Sequence, residues 1–96
     1  MSFRLLVLPA ARHSLAGLKR SDPILHRKVG KCLYLIGQNP RYPGLRSKRY
    51  ASLDHRYQEP VWQSYAENNV PAAYRVFWHY GPGDGEITIV AITPHP

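Results

Sequence analysis

Tyr74-Arg75-Val76-Phe77-Trp78-His79-Tyr80, then Gly81-Pro82-Gly83-Asp84-Gly85, then Glu86-Ile87-Thr88-Ile89-Val90-Ala91-Ile92-Thr93-Pro94-His95-Pro96, is the stretch on which the fold turns. Aromatic and β-branched residues on either side of a Gly/Pro/Asp cluster predict two strands joined as a hairpin. Side chains alternate along a strand, so Tyr74, Val76, Trp78 and Tyr80 share one side and Arg75, Phe77 and His79 the other. The first set reads as the face packed on helices. The second sets a cation, an aromatic ring and an imidazole about 7 Å apart in succession. A guanidinium in such a strand bridges to a carboxylate, caps a row of carbonyls or meets an anion. Glu86 and Glu67 are the carboxylates a bridge across the sheet would use.

Outward from this hairpin, the N-terminal half changes period. Phe3 to Leu8 is a short apolar run that predicts a buried strand. Pro9 opens a helix whose apolar face is Ala11, Leu15 and Leu18. Ser21-Asp22-Pro23 restarts the chain as a second helix, with Asp22 as the cap and Pro23 where its missing N–H is harmless. Leu25, Val29, Cys32 and Ile36 recur at four, three and four, and Leu33 widens the stripe. Gly37 and Asn39-Pro40 are expected to end it. Pro40 to Gly44 is a turn cluster, and Leu45 to Tyr50 predicts a strand with Arg46, Lys48 and Tyr50 on one face. A polar loop, Asp54 to Pro60, leads to a strand over Val61 to Tyr65. The order β-α-α-β-β-β-β predicts an α+β fold: an N-terminal strand and a helical hairpin on a mainly antiparallel twisted sheet. Residues 1–96 form one domain, with the helices on one sheet face and the other face free.

Size and charge narrow the class. The 96 residues are 44% hydrophobic, the composition of a folded chain, and suffice for a single two-layer core. No run reaches the roughly 18 apolar residues of a membrane span. The first apolar run is only about five residues long and reads as a strand, not a leader. One cysteine, Cys32, excludes an internal disulfide and fits a cytoplasmic protein. Eleven of the thirteen lysines and arginines lie in residues 1–50 against one acid, Asp22, a balance of +10. Residues 51–96 hold the other two against five acids, a balance of −3. Such asymmetry predicts a polyanionic or acidic partner.

The free sheet face would therefore carry Arg75, Phe77, His79, Arg46, Lys48, Tyr50 and, at the end of the last strand, His95. Cations neutralise phosphates and aromatic rings accept unpaired bases, so the surface suits RNA. Cleavage of RNA without a metal requires one group to take the ribose 2′ proton and another to protonate the departing 5′ oxygen. It also requires cations to hold the charge of the transition state. His13, His26 and His55 show no metal-ligand spacing, and no Gly-rich phosphate loop or nucleophile elbow occurs. Cys32 belongs to the apolar stripe of the second helix. No cofactor is expected.

Two basic N-terminal helices, a basic strand, Tyr74-Arg75-Val76-Phe77-Trp78, a glycine turn and Ile87-Thr88-Ile89-Val90-Ala91-Ile92 ending in His95-Pro96 resemble the RelE/ParE superfamily of bacterial toxins. The resemblance spans nearly the whole chain. It implies a toxin of a type II toxin–antitoxin system, neutralised by a cognate antitoxin protein. It further implies a ribosome-dependent mRNA endoribonuclease, a hydrolase-like mRNA interferase that leaves a 2′,3′-cyclic phosphate and blocks translation. The alternative is a ParE-like protein that inhibits DNA gyrase without nuclease activity. On this resemblance Arg75 stabilises the transition state, His95 transfers a proton and Lys48 supports charge. Arg46 and Arg49 support the substrate on the same resemblance; Tyr50, Phe77 and His79 are expected to contact RNA from their place on the free sheet face, and no metal is expected.

Overall fold

The computed structural model describes residues 2–94. The hairpin forms as its sequence predicts, with β4 over Tyr74–Tyr80 and β5 over Glu86–Pro94 joined through residues 81–85. Gly81 and Gly85 hold positive φ (96° and 72°) in that turn, where a side chain would be strained. Before them come β1 (Arg4–Val7), α1 (Pro9–Ser21), α2 (Pro23–Gln38), β2 (Lys48–Arg49), α3 (Asp54–Tyr57) and β3 (Trp62–Tyr65). The five strands form one sheet in the order β1-β5-β4-β3-β2. Only the β1–β5 pair is parallel. Among the described residues no helix is long and apolar enough to cross a membrane.

The helical hairpin follows from its caps. Pro9 and Pro23 are first helical residues, and the Asp22 side chain accepts from the Leu25 N–H at 3.1 Å. Asp22 alone links the helices, so they fold back on one another. Ala11, Leu18, Val29, Cys32 and Ile36 are buried against Val76, Trp78, Ile87, Ile89 and Ile92 of the sheet. Gly37 does not end α2. It is buried inside the last turn, and its carbonyl accepts from the Phe3 N–H at 2.6 Å, tying β1 to the helix end.

Three expectations are corrected. Residues 45–50 do not form one strand: Pro43–Leu45 is a 3-10 turn, Arg46 sits in the left-handed region (φ 51°), and only Lys48–Arg49 pairs with β3. Residues 54–60 are not an open polar loop, because Asp54–Tyr57 is a helical turn. The second sheet face is not free. Tyr50, Leu53 and Tyr57 close over Phe77, Val61 and Val90 as a small second core. Their spacing of three and four is helical, a signal hidden by its shortness. Asp54 fastens this cover: its Oδ1 accepts from the Val61 N–H at 2.7 Å, and Arg49 donates to its Oδ2.

A β-bulge in β5 makes two cores possible. Phe77 lies opposite Ala91 but Trp78 lies opposite Ile89, which leaves Val90 as the extra residue. Ile87, Ile89 and Ile92 can then all face the helices, while Val90 and Ala91 face Phe77.

The 40–47 connection is bound to the sheet by a chain of polar groups. The Trp78 indole N–H donates to Ser64 Oγ at 2.8 Å, and Ser47 Oγ donates to the Pro40 carbonyl at 3.0 Å. The two serine oxygens are 2.6 Å apart. Ser47 has a single proton and gives it to Pro40, so Ser64 is the donor between them. Ser64→Ala should orphan the buried indole and cost about 1–3 kcal/mol in urea unfolding. Ser47→Ala combined with it should add little; full additivity of the two losses would mean the groups do not act as one chain.

Candidate functional site

Arg75 lies in the middle of the sheet, with Tyr65 of β3 on one side and Thr93 of β5 on the other. It is only 3% exposed. The guanidinium carbon is 4.8 Å from the Phe77 ring centroid and 5.5 Å from that of Tyr50. Nη1 donates to Gln63 Oε1 at 2.5 Å, and Nε is buried with no partner among the described residues. The expected carboxylates are engaged elsewhere. Glu86 lies 3.9 Å from Arg4 and accepts from the Gly83 N–H; Glu67 lies 3.7 Å from Lys28 and accepts from the Tyr74 N–H. Among the described residues no ion pair includes Arg75. A guanidinium withdrawn from water without a counter-ion is costly, and two aromatic faces and one amide oxygen return only part of that cost.

A cationic lip lies beside it. Lys48 Nζ sits 5.6 Å and the Arg46 guanidinium 5.1 Å from the centroid of Tyr65, the cross-strand neighbour of Arg75. Both cations are exposed, and Arg46 Nη1 also donates to Asn68 Oδ1 at 3.0 Å. The structure thus brings Lys48, Arg46 and Tyr65 together beside Arg75, at the edge where β2 ends the sheet.

Other residues are placed differently from the sequence reading. Arg75 does not open to solvent, because the 50–57 segment covers its face. Phe77 is 4% exposed and fills the second core, so its ring is not presented to a base. Tyr50 lies outside β2 and packs edge-on against Phe77, centroids 4.9 Å apart. Arg49 leaves the lip: it stacks over Trp62 at 5.7 Å and is paired to Asp54. His79 is half-buried, its Nδ1 2.8 Å from the Tyr80 carbonyl oxygen. A carbonyl only accepts, so Nδ1 carries the proton, and in the neutral ring Nε2 keeps the lone pair. Four residues of strand, about 13 Å, separate His79 from Arg75, too far to share one reacting atom. His95 lies outside the described residues. The strand leading to it is placed, with Pro94 opposite Tyr74.

Gln63 is the residue the sequence reading missed. It stands between Lys48 and Phe77 in register, on the side of the sheet that holds Arg75. A polar amide between Trp62 and Tyr65, two positions from the latter and on its side of the strand, was the available signal. Among the described residues no group of three or more His, Cys, Asp or Glu is placed to hold a metal ion.

A helical hairpin laid on a mainly antiparallel sheet is a fold this chain shares with solved YoeB and RelE toxins. The chain superposes on a YoeB/ParE toxin from Agrobacterium tumefaciens with a TM-score of 0.76 at 8% identity, covering 98% of this chain and 100% of that one. A YoeB dimer from Staphylococcus aureus follows at 0.69 and 14% identity, with both chains wholly covered. An archaeal RelE–RelB complex from Pyrococcus horikoshii gives 0.68 and 14% identity, covering 98% and 96%. At such identities the likeness is one of fold. No protein-family model and no curated protein matches the sequence.

Cys32 is buried in the apolar stripe of α2. Burial pushes its thiol from 9.0 up to about 12, because the thiolate would lack solvation. A raised folded-state value stabilises the fold below the unfolded value and loses that contribution as pH climbs through the folded one. The stability gap between wild type and Cys32→Ala should therefore be constant below pH 8 and narrow between about 9 and about 12 in denaturant titrations.

Proposed function

We propose that this protein is the toxin of a type II toxin–antitoxin pair and a ribosome-dependent mRNA endoribonuclease of the cytoplasm. The observation that carries this reading is Arg75: a cation on the central strand with no carboxylate partner among the described residues, beside the exposed cations of Lys48 and Arg46. Such a group is matched by the charge that develops on a scissile phosphate. The ribose 2′ oxygen attacks phosphorus, its proton passes to a base, and the P–O5′ bond breaks as that oxygen takes a proton from an acid. A 2′,3′-cyclic phosphate and a 5′ hydroxyl result. Arg75 offsets the extra negative charge of the transition state, and Lys48 and Arg46 hold flanking phosphates. His95 serves as the proton-transfer group, with no metal required. The diester reaches Arg75 when the half-buried Tyr50 ring moves from its place over the guanidinium.

The second reading, a ParE-like inhibitor of DNA gyrase, is favoured by one observation. Arg75 and Phe77 are closed under the 50–57 segment, a poor arrangement for a surface that must meet RNA unaided. Primer extension on mRNA from a translating extract separates the two. Wild type should produce discrete cuts, and Arg75→Ala should lower the cutting rate by about 10²-fold or more. Equal cleavage by both proteins removes Arg75 from the chemistry. Intact mRNA together with blocked supercoiling transfers the assignment to gyrase.

The partner under this reading is an acidic antitoxin segment that folds on contact with the basic helices. Arg20, Arg27, Lys28 and Lys31 are all exposed along α1 and α2. Affinity for the protein encoded beside this one should fall steeply between 50 and 500 mM salt in calorimetry, by roughly tenfold or more. An affinity indifferent to salt would argue that apolar burial alone drives the pairing.

A further inference from the structure

Gln63 is 5% exposed and gives its amide oxygen to Arg75 Nη1 at 2.5 Å. The chemical choice at this position matters. A glutamate of nearly the same shape would form a charge-assisted pair with the guanidinium and cancel its charge. A glutamine orients the same group and leaves its charge intact. Retaining a buried, uncancelled cation is unfavourable for the fold, so its presence calls for a compensating anion at some stage of the protein's work. Nε, which has no partner among the described residues, marks where an oxyanion could be received.

We infer that Gln63 is a positioning residue that fixes the Arg75 guanidinium in one plane while keeping it charged, so that the group binds a single phosphate-like oxyanion. This rests on the ribonuclease reading for its consequence in catalysis, but the anion site itself can be tested apart from it. Gln63 touches no substrate; it acts through Arg75.

Two variants and two readouts decide the matter. Gln63→Glu places a carboxylate against Arg75, and Gln63→Met keeps the side-chain length but removes the acceptor. The first readout is the ¹⁵N–¹H resonance of Arg75 Nε during titration with inorganic phosphate. The second is mRNA cleavage in a translating extract, resolved into kcat and KM, with thermal unfolding as the control. Wild type should show a saturable Nε–H shift. Gln63→Glu should show none, cleave at least about 10-fold more slowly, and unfold no lower than wild type, because the lost charge-assisted bond to phosphate is replaced by one to the protein. Gln63→Met should keep phosphate binding and lose mainly kcat, through a guanidinium no longer held in plane. A residue that merely fills space would let stability and activity move together in both variants. Wild-type phosphate titration and wild-type cleavage in Gln63→Glu would overturn the inference while leaving the nuclease reading in place. If no protein cleaves mRNA yet phosphate still shifts Nε–H in wild type and not in Gln63→Glu, the anion site stands and the nuclease reading falls. Should Gln63→Glu fail to fold, retention of wild-type kcat by Gln63→Met would overturn the positioning role alone.

Discussion

β4 is buried on both sides from Arg75 to Trp78, and the helical hairpin and the 50–57 segment supply the two covers. One side of the strand gives Val76 and Trp78 to the helical hairpin; the other gives Arg75 and Phe77 to the segment between β2 and β3. A strand enclosed in this way leaves its polar side-chain atoms no water, so each needs a partner from the protein. Trp78 finds one through Ser64, Ser47 and the Pro40 carbonyl, and in doing so docks the connection that carries Arg46 and Lys48. Arg75 finds Gln63, and its Nε has no partner among the described residues. The same strand thus ties the fold to the candidate site through two neighbours on β3, residues 63 and 64, that point to opposite faces of the sheet.

Charge is divided along the chain for a related reason. The sheet's central strands exclude charge from their packed faces, apart from Arg75, so the cations gather on the outer faces of α1 and α2 and on the short edge strand. Edge strands so charged also resist pairing with another sheet. Lys48 and Arg46 stand at this edge on the Tyr65 ring, and the ring lies next to Arg75 in register. An anion drawn to the edge is therefore already one strand from the buried guanidinium. The helices present a second basic surface on the opposite side of the sheet, where Arg20, Arg27, Lys28 and Lys31 are exposed.

The helices and the β4–β5 hairpin were legible in the sequence because each is marked by repeated, mutually consistent signals. Asp22-Pro23 marks a cap, the Leu25 to Ile36 spacing marks a face, and the residues 81–85 mark a turn. The pairing of Arg75 with Phe77 on one side was legible too, since strand alternation is geometric. What covered that side was not. Tyr50, Leu53 and Tyr57 show helical spacing over only two turns, embedded among Arg49, Asp54, His55 and Arg56, so polarity suggested a loop. The bulge at Val90 was invisible for a different reason: Ile87 to Ile92 is nearly uniform in polarity, and a uniform run carries no alternation to betray a slipped register. The partnership of Gln63 with Arg75 depends on the register of β3 against β4, which the pattern within either strand does not encode.

The burial of Arg75 bears on function through its energetics more than through its location. If the guanidinium were only a structural prop, a carboxylate paired with it or an apolar side chain in its place would satisfy the interior at lower cost, since isolated buried charges lose several kcal/mol of solvation. Aromatic rings at 4.8 and 5.5 Å recover only a part of that, on the order of 2 kcal/mol for a desolvated cation. The arrangement therefore stores a deficit that a bound anion can relieve. The segment that covers this face is short: Tyr50, Leu53 and Tyr57 pack on Val61, Phe77 and Val90, and Asp54 ties it to Arg49 and to the Val61 N–H. A cation kept dry and uncancelled interacts more strongly with developing negative charge than one in water, because the low local dielectric that makes it costly also strengthens its field.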